Sequence, residues 1–272
     1  MPAPVNPFKK ALREDTGLLT GLWVALANPH SAEICAGAGF DWILIDAEHG
    51  PNDIPLIAAQ LAAVTRHAAH PVVRLPVGEP WMIKQALDIG AQTLMIPMVE
   101  TAEQATMLAK ALRYPPFGIR GMGASLGRAS DFGRVSDYAD TANDEVCLIA
   151  QIESRLGVEN AEAILAVEGV DAVLIGPADL SADMGYGGKA TVPEVMETVE
   201  ALIGKIKASG KPAGIMTGDA EMIALARRAG VRFMANGTDT GLLARAAASM
   251  AAEMRNTGAA ASAPAKGAGG YS

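Results

Sequence analysis

Two stretches, Cys147-Leu-Ile-Ala-Gln-Ile-Glu153 and Val173-Leu-Ile-Gly-Pro-Ala-Asp179, decide how the chain is read. Each is an apolar run that ends in a carboxylate. A run without polar alternation suits a strand buried on both faces, as in a parallel sheet. The acid then stands at the strand's C-terminal edge, where α/β folds place their chemistry. Either acid alone could simply cap the helix that follows. Two of them, from neighbouring strands, make a hard-oxygen site suited to Mg2+ or Mn2+.

Working outward from these runs, strand-like patterns also fall at 18–26, 42–46, 72–75, 93–99, 212–216 and 232–235. Helical patterns lie between and after them, at about 30–38, 53–68, 80–89, 101–112, 154–167, 193–208, 219–229 and 239–255. Asn28-Pro29, Asn52-Asp53, Glu79-Pro80, Thr101, Asp219 and Asp239 supply N-terminal signals. Gly39, Gly90, Gly169, Gly210 and Gly230 stand where helices should end. About eight β/α units in about 250 residues predict a single α/β domain, a TIM (β/α)8 barrel, over residues 1–256. A doubly wound sheet is the alternative, but no GxGxxG follows a strand.

Two segments interrupt the alternation. Tyr114–Asn143 is too long for a simple connection and carries Arg120, Arg128, Arg134 and Gly121-Met122-Gly123, with Arg113 just before it. Long loops in compact domains are usually functional or disordered, and this one is expected at an active site or a subunit contact. Residues 257–272 are rich in Ala, Gly, Ser and Pro, a composition that predicts a disordered tail.

The composition narrows the class. The 272 residues carry a net charge of −8, which argues against nucleic acid or an anionic membrane as partner. Half the residues are hydrophobic, enough for a large core. No stretch approaches the roughly 18 apolar residues of a spanning helix, and the N-terminus lacks a signal-peptide core. Cys35 and Cys147 have no CxxC spacing and read as reduced core residues, so a cytoplasmic protein is expected.

The strand ends supply the chemistry. Strand two closes with Asp46-Ala47-Glu48-His49, where the aspartate could hold the histidine as an acid/base pair, with Glu48 in support. His30, His67 and His70 read instead as surface residues near helix ends. Strand three ends in Arg74, whose charge in a Val/Leu/Pro context demands an anion, either substrate or a structural partner such as Glu48 or Glu100. Trp23 could wall the pocket or fill the barrel.

Absences sharpen the reading. No strand contains a Lys for an imine mechanism: Lys84, Lys110, Lys205 and Lys207 fall on helices, and Lys211 precedes strand seven at the barrel's inactive end. No GxSxG, Cys/His pair or HExxH is present. Two acids for a metal, an arginine for an anion and an Asp/His pair for protons suit enolate formation from an α-keto acid.

The chain resembles the metal-dependent (class II) pyruvate aldolases of the HpcH/HpaI family. The resemblance rests on Ala38-Gly-Phe-Asp-Trp42, Asp46-Ala-Glu-His49, Pro71-Val-Val-Arg74, Arg113-Tyr-Pro-Pro-Phe-Gly-Ile-Arg-Gly121, Gln151-Ile-Glu153 and Gly176-Pro-Ala-Asp-Leu-Ser-Ala-Asp-Met-Gly185. It covers about residues 8–255. By that resemblance Glu153 and Asp179 bind a divalent cation (Mg2+, Mn2+ or Co2+), with Gln151 close by and no organic cofactor. Arg74 contacts the pyruvate keto oxygen, and the backbone of Gly176, Pro177 and Ala178 holds its carboxylate. His49, with Asp46, is the acid/base. Asp88 reaches a neighbouring subunit's site, and Trp23, Met216 and Met122 line the substrate pocket, the two methionines where relatives often carry smaller aliphatic residues.

The implied reaction is reversible aldol cleavage of 4-hydroxy-2-keto acids, including hydroxyketoacids of aromatic catabolism, to pyruvate and an aldehyde. The implied assembly is a homo-oligomer, a hexamer that exchanges its last helix. Cleavage of 2-keto-3-deoxy sugar acids would use the same catalytic set. A phosphoryl-transfer enzyme acting on phosphoenolpyruvate is a further alternative, although Ala235-Asn-Gly-Thr-Asp239 has no Lys or Arg beside it to hold phosphate.

Overall fold

Each apolar run becomes one strand of a closed barrel, because strands covered by helices outside and side chains inside have no polar face to offer. In the computed structural model, which describes residues 1–14 and 17–261, eight parallel strands pair in chain order. They are β1 (Leu19–Val24), β2 (Trp42–Asp46), β3 (His70–Arg74), β4 (Thr93–Ile96), β5 (Cys147–Ile152), β6 (Ala172–Ile175), β7 (Ala213–Met216) and β8 (Phe233–Thr238). β8 pairs with β1 to close the ring. The TIM-barrel expectation is met, and Cys35 and Cys147 are both buried and free.

Helices return the chain from the C-terminal to the N-terminal pole after each strand. Their starts follow the expected chemistry: Asn28, Asp53, Thr101 and Asp219 each accept hydrogen bonds from main-chain N–H groups of the first turn. Glu79 makes no such bond, and the proline after it starts that helix instead. The last helix runs Asp239–Ala261, past the tail boundary expected at 257; residues 262–272 of that tail lie outside the described residues. Among the described residues no helix is long and apolar enough to cross a membrane.

Three helices escaped the pattern. Pro7–Arg13 precedes β1, Tyr138–Glu145 sits inside the long 114–143 connection, and Pro177–Asp183 follows β6 directly. The first of these plugs the barrel floor: Phe8 packs on Trp42, His70 and Phe233 with ring centroids 5.8, 5.7 and 5.9 Å apart. His70 is thus not the surface residue expected but the buried first residue of β3, bonded through Nε2 to Thr93 Oγ1 at 2.9 Å. Burial disfavours the imidazolium and lowers its pKa to about 4.

The sign of the linkage follows. Unfolding frees His70 to protonate near pH 6.5, so the unfolded chain binds more protons between pH 6.5 and 4. Stability should therefore be complete above pH 6.5 and fall as pH drops toward 4, by up to ~3 kcal/mol from this group. Thermal unfolding of His70→Gln should show a shallower loss over that window than the wild type. Parallel pH profiles for the two proteins would show the histidine has no such effect.

Candidate active site

The barrel register sets the site. β2 and β3 pair so that their last residues, Asp46 and Arg74, stand opposite each other. The guanidinium makes a two-pronged contact, Nε to Oδ1 at 2.9 Å and Nη2 to Oδ2 at 2.7 Å, with both residues buried. Its Nη1 lies 2.8 Å from Glu48 Oε2, and its charge sits 5.6 Å from the Trp23 ring centre. Burial by itself would lower the Arg74 pKa, but Asp46 and Glu48 outweigh it and hold the arginine above its usual value. Losing either member of such a buried pair typically costs about 3–5 kcal/mol, because the other charge stays buried alone.

This pairing corrects one expectation. Asp46 does not hold the His49 ring. Both its oxygens serve Arg74, and Oδ1 also accepts from the Glu48 main chain at 3.1 Å. A forked cation satisfies both carboxylate oxygens at once, which an imidazole cannot. The largely exposed His49 ring instead lies 3.7 Å from Glu48 Oε2. Burial raises the Glu48 pKa, against the opposing pull of Arg74 and His49. Trp23 packs edge-on against Trp42 at 5.7 Å in the barrel interior, and its ring also abuts Arg74.

A few ångströms round the pole, Glu153 follows β5. It is 3% exposed, accepts from Met98 N at 3.0 Å and is bonded by Gln151 Nε2. Met98 holds φ at +51°, in the left-handed region, and its N–H points at Glu153 from there. Gly176 allows the close fit: a Cβ at that position would meet Glu153 Oε2, lie 2.9 Å from Glu153 Cβ and 3.3 Å from Gln151 Nε2. Gly176 also caps the short helix Pro177–Asp183, whose first turn carries the exposed Asp179.

The electrostatics ask for a cation. Burial, with added repulsion from Asp179 and Glu48, pushes the Glu153 carboxyl up to about 7. Among the described residues no Lys, Arg or His lies within 4 Å of Glu153 or Asp179, since Arg74 is committed to Asp46 and Glu48. Gln151 Oε1 is buried without a partner beside them. Two carboxylates and an amide oxygen fit a hard divalent ion. Among the described residues no third acid, His or Cys completes a cluster, which leaves coordination positions for substrate and water.

Not every expected residue converges here. Met216 ends β7 and packs against the barrel-interior cluster. Asp88 ends the helix Pro80–Asp88, which has returned to the opposite pole, and it pairs with buried Arg120 at 2.7 Å. Met122 is 67% exposed in the loop against that helix end. This chain alone therefore does not bring Asp88 or Met122 to its own carboxylates.

Sequence reasoning missed other contributors. The Met98 N–H is invisible to it, because a backbone donor carries no side-chain signal. Asp239, read only as a helix start, accepts from Ala25 N at 2.9 Å, Leu26 N at 3.3 Å and Ser31 Oγ at 2.7 Å. It ties the loop after β1, and hence the Trp23 side of the site, to the end of β8.

The chain is similar to several known proteins. The family model described as HpcH/HpaI aldolase/citrate lyase matches residues 19–246. A hydroxypyruvate/pyruvate aldolase of Roseovarius nubinhibens is 52% identical over 94% of this chain and 99% of that protein. A 4-hydroxy-2-oxo-heptane-1,7-dioate aldolase of Escherichia coli (strain ATCC 8739) is 49% identical over 91% of this chain and 94% of that protein. The crystal structure of a protein of the same family from Burkholderia cenocepacia J2315 superposes with a TM-score of 0.88 at 40% identity, covering 92% of this chain and 100% of that one.

The contact at Gly176 yields a direct test. Gly176→Ala places a methyl against Glu153 and Gln151, and a misplacement of about 1 Å in such a site can cost about 100-fold in rate. The variant should remain folded at a cost of about 1–3 kcal/mol from overpacking, yet bind divalent metal weakly and turn over about 100-fold more slowly. Wild-type metal affinity in this variant would show that the close approach is unimportant.

Proposed function

The chain belongs to the HpcH/HpaI aldolase/citrate lyase family, and from that premise we propose how its residues cleave 4-hydroxy-2-keto acids reversibly to pyruvate and an aldehyde. The observation that carries the reading is the uncompensated Glu153–Asp179 pair standing beside a guanidinium already fixed by two carboxylates. A divalent cation held by Glu153 and Asp179 would supply Lewis-acid polarisation of the substrate's keto group.

The chain's own groups do the rest. The first-turn N–H groups after Gly176 take the pyruvate carboxylate, at a helix end where partial positive charge collects. Arg74 uses one hydrogen on each of Nε and Nη2 for Asp46 and turns Nη1 to Glu48, so donor capacity remains for the keto oxygen as it gains charge. Because Asp46 and Glu48 fix the fork beforehand, no reorganisation is needed when that charge develops. His49 removes the C4 hydroxyl proton in cleavage and returns it to the aldehyde oxygen in synthesis, with Glu48 rather than Asp46 as its near carboxylate. Met216 and Met122 shape the aldehyde side, the latter from a neighbouring copy. The relatives named above act, by their names, on hydroxypyruvate/pyruvate and on a heptanedioate, so both chemistries belong in the assay.

Pyruvate release should be measured from several 4-hydroxy-2-keto acids, with Mg2+, Mn2+ or Co2+ and with chelator. Chelator should silence the enzyme until metal returns, and Arg74→Lys should lose about 100- to 1,000-fold in kcat because the fork is absent. Full turnover in excess chelator, or borohydride trapping of pyruvate on the protein, would overturn the reading.

The single domain, residues 1–256 and the helix beyond them, is proposed to assemble into a hexamer. Leu242, Leu243 and Met250 on the last helix are 46, 61 and 64% exposed, an apolar face left uncovered among the described residues. Assembly would also carry Asp88 to a neighbour's site. Asp88→Ala should then impair catalysis although it lies far from its own Glu153. A fully active monomer by size exclusion with light scattering would rule this out.

A further inference from the structure

The His49 ring is largely exposed, and its one ion-pair contact among the described residues is Glu48 at 3.7 Å. Its place is therefore set by the backbone of the loop that carries it, residues 47–53 between β2 and the helix Ile54–Val64. That loop turns back on the strand it leaves. Asp46 Oδ1 accepts from the Glu48 N–H at 3.1 Å and from the His49 N–H at 3.5 Å. The Asn52 N–H donates to Gly50 O at 2.8 Å, and Asn52 Nδ2 donates to Asp46 O at 2.6 Å. A Cβ on Gly50 would meet Asp46 O and stand 3.0 Å from Ala25 O and 3.2 Å from Asn52 Nδ2.

Asn52 is itself held from behind. Gln60 Nε2 donates to Asn52 Oδ1 at 2.5 Å and to Leu56 O at 3.1 Å. Two carbonyls fix the direction of this chain of bonds. Asp46 O and Leu56 O can only accept, so Asn52 turns its nitrogen to the first and Gln60 turns its own to the second. Gln60 is fully buried on a helix face shared with Ile57, Leu61 and Val64, and its Oε1 is buried without a partner among the described residues. An unpaired buried acceptor is destabilising, and a hydrocarbon side chain at the same place would have none. Neither adjoining element accounts for the relay. The helix is already capped by Asp53, which accepts from Leu56 N at 2.9 Å. The end of β2 is already held by Ala47 N, which donates to Arg74 O at 2.9 Å. What is left for the relay to fix is the loop between them.

We propose that Asn52 and Gln60 are positioning residues for the carbon–carbon bond step. The relay from Gln60 through Asn52 to the Asp46 carbonyl closes the loop and aims the His49 imidazole at the substrate's C4 hydroxyl. This rests on the acid/base reading of His49 given above. Arg74 does not depend on the relay, because its fork on Asp46 is set by strand register. Enolisation of pyruvate should therefore survive loss of the relay, whereas proton transfer at the C4 hydroxyl should not.

Aldol cleavage and solvent deuterium exchange into the pyruvate methyl, both measured on the full Mg2+-loaded protein, separate the two. Asn52→Asp sets an acceptor against the Asp46 carbonyl and should slow cleavage about 100-fold, with exchange near the wild-type rate. Gln60→Met keeps the buried volume and removes the unpaired Oε1. It should be at least as stable in thermal unfolding, yet cleave about ten-fold more slowly, the scale of one lost hydrogen bond. In the His49→Ala background, Asn52→Asp should add no further loss, since the ring it positions is gone. Wild-type cleavage in Asn52→Asp, equal losses of cleavage and exchange, or losses that multiply in the double variant would each overturn the proposal. Wild-type cleavage in His49→Ala would overturn the acid/base reading itself, and the proposal with it.

Discussion

The candidate site depends on one charge arrangement, the fork of Arg74 on Asp46 with Glu48 at its third side. Two strand ends in register make it possible, and burial makes it strong. Because the guanidinium is fully claimed on that side, it cannot relieve the repulsion between Glu153 and Asp179. Burial, with that repulsion added, raises the Glu153 carboxyl to about 7 and creates the demand for an external cation. The structural pair and the binding pair are therefore two halves of one balance.

The barrel supplies what such a balance needs. A carboxylate pushed together with others would move apart if its backbone could yield. Here Glu153 is fixed by the Met98 N–H and Gln151, with Gly176 admitting it at close range. Trp23 closes one side with its ring against Arg74 and its edge on Trp42. Asp239 fastens the loop that follows Trp23 to the end of β8, across the seam where the ring closes. Strain at Met98 is affordable only in such an over-determined setting.

How much of this the chain itself announces depends on the range of each interaction. Strands and most helices were legible because their periodicity and caps are local. Arg74's need for an anion was legible too, from its apolar neighbours. Its partners were legible only in part: Glu48, an expected anion, does pair with it, but register also places Asp46 opposite it, which no local signal announced. That same contact removed Asp46 from His49, so one unseen pairing changed two assignments. His70 was misplaced for a related reason. A histidine beside a helix end looks exposed until the helix Pro7–Arg13 folds under the barrel and stacks Phe8 on it. Asp88 and Met122 show a different limit, since this chain alone leaves both away from its own carboxylates and their role rests on the proposed assembly.

The two poles of the barrel use opposite ways of holding charge. At the C-terminal pole the cation is tied by carboxylates, so its charge is spent locally and the surplus is negative. At the N-terminal pole Lys207 and Lys211 are tied by carbonyls, so position is fixed while charge is kept. Lys207 stays exposed and keeps its hydration, whereas Lys211 is half-buried and loses part of its own. Lys211 carries that cost in its lowered pKa. The carbonyl that Lys207 meets ends the helix Ala220–Ala229, where an ammonium is favoured by the helix dipole, so that contact belongs to the barrel's own packing.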